Sequence, residues 1–296
     1  MNLPNYTLGG GIKHYKNLIA YYKDTKQFYD TSHKLFNSVY DSIFGLKWNG
    51  GRVCSPADTL PLPDLFEVIK SYNELGIGFN WSFTNTLLTE EDLKDPYCNL
   101  VLEATNNCQN GVILVSPLLR EHIKKNFPKM KIIFSVCNGL KTLDEYKKEI
   151  DNNDLVVLHP DFNHDYNFLE QLPQKEKIEV MVNDICAFGC PFRKKHYDFL
   201  SLCAKVQSTN PIIHDPVELD YGKGQCDATK NGYIKDERNR LTQNDIEYML
   251  NMGFKVFKII GREHNWDYYY KKDLRPNLEQ FWLRKVIRES EMNLHI

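Results

Sequence analysis

The stretch Val182-Asn-Asp-Ile-Cys186-Ala-Phe-Gly-Cys190-Pro-Phe-Arg193-Lys-Lys-His196-Tyr197 gathers the densest set of side chains suited to chemistry. Two thiols four residues apart, just past an apolar run that reads as a strand, point into one small volume. Gly189 permits a tight turn there, and Pro191 removes a competing donor. Cys203 follows on a helical segment and Cys226 in a long polar stretch, which gives Cys-x3-Cys-x12-Cys-x22-Cys. Four thiolates brought together from strand end, turn, helix and loop suit a 4Fe–4S cluster or a structural zinc. The pattern lacks the Cys-x2-Cys knuckles of zinc ribbons, and Cys203, flanked by Leu200, Leu202 and Val206, equally suits an ordinary buried helix cysteine.

Three further sets carry chemistry of another kind. His159-Pro-Asp161-x-x-His164 follows an apolar run and offers groups for proton transfer or for holding a divalent metal. Asn183 at a strand end and His196 at a helix start complete the candidate catalytic residues. Arg52, Arg193, Lys258 and Arg262 all fall near predicted strand ends; if they converge, they define a site for a small anionic substrate. No His-Glu-x-x-His and no Ser-His-Asp motif is visible, so the familiar hydrolase signatures lend no support.

Positioning these groups requires a repeating scaffold, and from residue 50 onward the chain alternates short apolar runs with helical segments. Strand signals lie at Gly50–Cys54, Ile77–Phe83, Gly111–Val115, Lys131–Cys137, Leu155–Leu158, Ile178–Val182 and Phe254–Ile260, with an eighth near Gly232–Lys235. Helices begin at recognisable caps: Ser116 before Pro117, Thr142 with Glu145, and Thr242. Such alternation implies parallel strands with right-handed crossovers, and eight units in about 250 residues predict a (β/α)8 barrel of the TIM type. Residues 1–48 read as a separate N-terminal helical arm, with helices over Lys13–Tyr22 and Gln27–Phe44, and residues 49–296 as the barrel. The polar segment 208–240 reads as a long loop of that barrel.

Composition narrows the class. The chain has 296 residues, 37 basic and 39 acidic side chains, and a formal charge of −2. That balance argues against nucleic-acid binding, which usually brings a basic surplus. No apolar run reaches the length of a membrane span, the N-terminus lacks the features of a signal peptide, and eight cysteines are too sparse for a disulfide scaffold. The expected setting is therefore cytoplasmic with reduced thiols, and residues 1–48 are the segment most suited to a protein partner or a homo-oligomer.

Asn183-Asp-x-Cys186-x3-Cys190-Pro-x-Arg193-x2-His196-Tyr197, together with Lys258-Ile-Ile-Gly-Arg262, resembles the collagenase-like peptidase family (peptidase family U-thirty-two) across about residues 50–265. The resemblance implies a 4Fe–4S cluster on Cys186, Cys190, Cys203 and Cys226, with Lys258 and Arg262 near the pocket. It further implies oxygen-independent hydroxylation of the kind its members perform in ubiquinone synthesis and RNA modification, with prephenate as the oxygen donor. Ile260 departs from the family pattern, where an acidic residue stands. The expected function is thus an iron–sulfur barrel enzyme acting on a small anionic or biosynthetic substrate by redox or hydroxylation chemistry. The alternatives are a barrel lyase, aldolase or hydrolase using His159 and Asp161, with or without a divalent metal, and a non-catalytic partner subunit.

Overall fold

The computed structural model describes residues 3–28, 34–51, 54–184, 186–209, 237–261, 265–281 and 283. Arg52, Cys226, Arg262 and the strand expected near Gly232–Lys235 lie outside them.

Eight parallel strands close into a barrel in chain order: β1 (Asn5–Gly9), β2 (Ser38–Asp41), β3 (Gly78–Phe83), β4 (Gly111–Leu114), β5 (Lys131–Phe134), β6 (Leu155–Val157), β7 (Ile178–Met181) and β8 (Val256–Ile259). The predicted barrel is therefore present, and its last six strands coincide with the apolar runs of the sequence. The first two do not. Residues 1–48 supply β1 and β2 with a helix between them, rather than a separate helical arm, and the described residues of the predicted first strand, 50, 51 and 54, are not in a strand. The barrel closes where β8 pairs with β1 from Asn5↔Val256 to Leu8↔Ile259.

Between the strands run α1 (Tyr15–Phe28), α2 (Leu62–Glu74), α3 (Pro96–Thr105), α4 (Pro117–Asn126), α5 (Leu143–Asn152) and α6 (Tyr166–Gln171). Their starts follow the capping chemistry. Asp95 and Ser116 accept from backbone N–H groups at the starts of α3 and α4, and Thr142 with Glu145 forms a reciprocal capping box on α5. Ahead of α3, Thr89 binds the Asp92 carboxylate through its hydroxyl and its N–H.

Strand alternation sorts the side chains. Outward-facing Trp81, Phe83, Leu114, Phe134, Val180 and Phe257 join the layer packed beneath the helices. Inward-facing Tyr40, Ile113, Ile133, Val157, Met181 and Ile260 form a separate cluster in the barrel interior. Two buried charges share that interior, Glu179 on β7 and Lys258 on β8.

The β7-to-β8 connection is the one that departs from a plain barrel. Its crossover helix is α8 (Gln243–Asn251), opened by a second capping box at Thr242. Before it, the chain inserts α7 (Arg193–Thr209). α7 begins beside the ends of β6 and β7, where Arg193 pairs with Asp161 and Asp184. Midway, Tyr197 packs with Val115 and Cys137 beyond β4 and β5. Farther along, Asp198 accepts from the Thr86 hydroxyl, Ser201 binds Asn85 and Thr86, and Lys205 pairs with Asp92, all beyond β3. Strands 7 and 3 stand opposite each other in an eight-stave barrel, so α7 spans the C-terminal mouth from one side to the other. After β8 the chain is helical over α9 (Trp266–Tyr269) and continues as a π-helical stretch through Gln280, with Tyr269 buried.

The β1–β8 seam leaves no room for side chains where it passes into the mouth. A Cβ on Gly9 would lie 2.3 Å from the Gly261 backbone nitrogen. Gly9→Ala is accordingly expected to cost about 3 kcal/mol or more, within the upper range for forced overpacking, read as a lowered denaturant midpoint.

Candidate functional site

Side chains from seven of the strands and their C-terminal extensions line a cavity of about 70 Å³ at that mouth. Hydroxyls of Ser82, Thr84 and Ser135 face it from the β3 and β5 side, and Met181, Val157, Ile113 and Ile260 supply apolar walls. Lys258 enters from β8. Its Nζ donates to Glu179 Oε2 at 3.0 Å and sits 4.1 Å from the centroid of the Tyr40 ring. Glu179 is fully buried, and its second oxygen, Oε1, has no hydrogen-bond partner among the described residues. A buried carboxylate with one oxygen unsatisfied is costly, so this pair is incomplete as it stands.

A second polar cluster forms the rim above β6 and β7. The Asp161 carboxylate accepts from Gly189 N–H at 3.1 Å, from Asn239 Nδ2 at 3.1 Å and from Arg193 Nη2 at 3.4 Å. Arg193 also donates to Asp184 at 3.2 Å and to the Ala187 carbonyl at 3.3 Å. Asn163 adds a further tie, with its amide donating to the carbonyls of Met181 and Asn239. Gly189 and Arg193 begin the insertion and Asn239 ends it, so the turn after β6 holds both of its ends.

His159 stands within this rim. Its backbone N–H donates to the Tyr146 hydroxyl on α5, and its Nδ1 accepts from the Asp161 N–H at 3.3 Å, which places the ring proton on Nε2. Burial, reinforced by the Arg193 guanidinium, pulls the imidazole pKa down to about 4; Asp161 and Asp184 oppose the shift without cancelling it. His159 is therefore neutral near pH 7, the form able to take up or pass on a proton.

The sequence candidates fall into three groups. His159, Asp161 and Arg193 come together as described, but Arg193 is 7% exposed and committed to two carboxylates and a carbonyl, so it positions α7 instead of meeting a ligand. Asn183 is likewise structural: its amide donates to the Ile260 carbonyl and accepts from the Ile260 N–H, clamping the ends of β7 and β8 together. His196 lies on the first turn of α7, its ring stacked on Tyr197. Lys258 reaches the cavity as expected of a substrate-binding cation. Arg52 and Arg262 lie outside the described residues.

The thiols do not assemble among the described residues, where no group of three or more Cys, His, Asp or Glu side chains is placed to hold a metal ion. Cys186 and Cys190 are half-buried before the start of α7. Cys203 is buried in the body of that helix, about 15 Å along it from Arg193 at 1.5 Å per residue. Cys226, the fourth ligand that the resemblance implies, lies outside the described residues. The three described thiols thus do not fit a 4Fe–4S cluster or a zinc site by themselves, and no chemical step is drawn through either.

Two groups at this site, Tyr40 in the cavity wall and Glu179 behind Lys258, were not anticipated. Tyr40 fell in a segment that reads as helix, and Glu179 lies within the apolar run Ile178-Glu-Val-Met181. An acidic residue on the inward parity of a buried strand was the available signal. No family model matches the chain, and no curated protein matches it. The resemblance to the collagenase-like peptidase family therefore rests on its sequence motifs. The closed barrel itself is an architecture compatible with many enzymes. No helix among the described residues is long and apolar enough to cross a membrane.

Two outcomes follow from the rim. Asp161→Ala removes the acceptor shared by both ends of the insertion, and should loosen α7 by about 2 kcal/mol, read as roughly 30-fold faster amide exchange across residues 193–209. The depressed His159 pKa makes the unfolded chain bind more protons between its ordinary value of about 6.5 and about 4. Its contribution is complete above that window and is lost as pH falls through it, so a His159→Asn variant should show a flatter acid limb in denaturation, by roughly 2–3 kcal/mol.

Proposed function

We propose that the protein is an enzyme of the lyase or aldolase type that takes a small anionic substrate at the C-terminal mouth of its barrel. The observation that carries this reading is the buried Lys258–Glu179 pair: the lysine lines the cavity, and a fully buried carboxylate, its Oε1 without a hydrogen-bond partner among the described residues, backs it at 3.0 Å. Barrels of this architecture place their chemistry at the C-terminal ends of the strands, and the cavity lies at those ends.

Each side chain has a distinct task. The Lys258 ammonium attracts the anion and fixes its orientation. Hydroxyls of Ser82, Thr84 and Ser135 donate to its oxygens from the opposite wall. Apolar Met181, Val157 and Ile260 limit the water that shares the space, which strengthens these contacts. His159, two residues beyond cavity-lining Val157, supplies a neutral imidazole for proton transfer, and Asp161 holds its turn in place.

A cavity of about 70 Å³ limits the substrate to a few heavy atoms. Small oxo and hydroxy acids are the corresponding probes. At a concentration of 100 times Kd they should stabilise the protein by about 2.7 kcal/mol, measured as a raised denaturation midpoint. The double variant Lys258→Met with Glu179→Leu removes both charges without stranding either, and should fold yet gain nothing from the same acids. Equal stabilisation of both proteins would place the binding elsewhere.

A further inference from the structure

We infer that Lys258 is a covalent residue: its ε-amine condenses with the carbonyl carbon of a small 2-oxo acid to form an iminium ion. The inference rests on the reading of the mouth as the substrate site and names the substrate class and the bond made there.

Three features of the pair point beyond simple anion binding. Lys258 is 6% exposed, and its Nζ faces the cavity instead of reaching solvent. A lysine placed only to attract an anion would do so better with no carboxylate at 3.0 Å, because Glu179 cancels its charge. Glu179 gains a role if the ammonium must lose a proton, since its unpartnered Oε1 can accept one inside a dry interior. The third feature is the Tyr40 ring, 4.1 Å from Nζ. Its face favours a cation at that point, and the iminium nitrogen is a cation in the same place as the ammonium it replaces.

The step balances without an oxidant or reductant. The Lys258 ammonium passes a proton to Glu179, and the neutral nitrogen adds its lone pair to the carbonyl carbon. The carbonyl oxygen takes up the proton from Glu179, giving a carbinolamine. One of the two protons still on the nitrogen moves through Glu179 to that hydroxyl, the C–O bond breaks with loss of water, and the nitrogen lone pair forms the C=N bond, with the other N–H retained on the iminium. The sum is one ammonium and one ketone giving one iminium and one water. The substrate carboxylate points to the hydroxyls of Ser82, Thr84 and Ser135 across the cavity. An iminium next to that carboxylate draws electrons from the adjacent carbon, as lyase and aldolase chemistry requires.

The test is reductive trapping of the full-length chain with pyruvate or glyoxylate and sodium cyanoborohydride, followed by peptide mapping. The expected result is one adduct at Lys258, formed well before any surface lysine reacts. Glu179→Gln should form the same adduct roughly 100-fold more slowly. Lys258→Arg keeps the charge, so it should still be stabilised by the acids without reductant while giving no adduct at this position. If the wild-type protein is stabilised by either acid but Lys258 traps no faster than exposed lysines, the covalent role falls and the anion site stands. If neither acid stabilises or traps, both readings fall. An unchanged rate in folded Glu179→Gln would overturn the role given to that carboxylate.

Discussion

Everything at the mouth of this barrel depends on one carboxylate. Asp161 lies past the end of β6, yet it binds the first turn of an insertion that begins after β7 and the asparagine at the end of that insertion. Ordering a segment that runs from Cys186 to Arg240 costs conformational entropy, and its described residues are held by contacts near both ends and along α7. The start of α7 rests on Asp161 and Asp184 through Arg193, and its far end on Lys205 and Asp92 at 2.7 Å. At Asp92, burial favours the neutral carboxyl, but hydrogen bonds from Lys205 and Thr89 outweigh it and hold the pKa below its usual value. Both anchors are partly buried, so they resist screening better than surface pairs do.

The same cluster ties packing to protonation. Arg193 is drawn inward to fix α7, and in doing so it places a positive charge beside His159. The imidazole is kept neutral by its own burial and by that guanidinium. A group recruited to hold a helix thus also sets the charge of the nearest proton carrier. Within the barrel, the Lys258–Glu179 pair works by a different logic: it is balanced in charge and left open in hydrogen bonding.

The barrel was legible where its strands are continuous apolar runs, as in Gly111–Leu114 and Lys131–Phe134, because strands buried on both faces need that composition. It was not legible in Asn5–Gly9 or Ser38–Asp41, short strands set among glycine, asparagine and tyrosine, where pairing with β8 and β3 decides the conformation. α7 could be read as a helix, but its course could not, since its partners at Asn85, Thr86 and Asp92 lie more than 100 residues away in the chain. For the site, His159, Asp161 and Lys258 were found from their position after or within apolar runs. The tasks of Arg193 and Asn183 were misjudged because a strand-end position does not distinguish a residue that clamps the scaffold from one that faces a ligand.

A rod laid across a round opening leaves two windows in place of one. α7 packs Tyr197 against Val115 and Cys137 on the β4–β5 side, while Lys258 enters the cavity from β8 on the other. Gly9 and Gly261 meet backbone to backbone where β1 and β8 leave the barrel, on the side of the mouth away from Val115 and Cys137. The crossing helix is no part of the repeating barrel, so its exposed side chains can be exchanged without touching any of the eight staves.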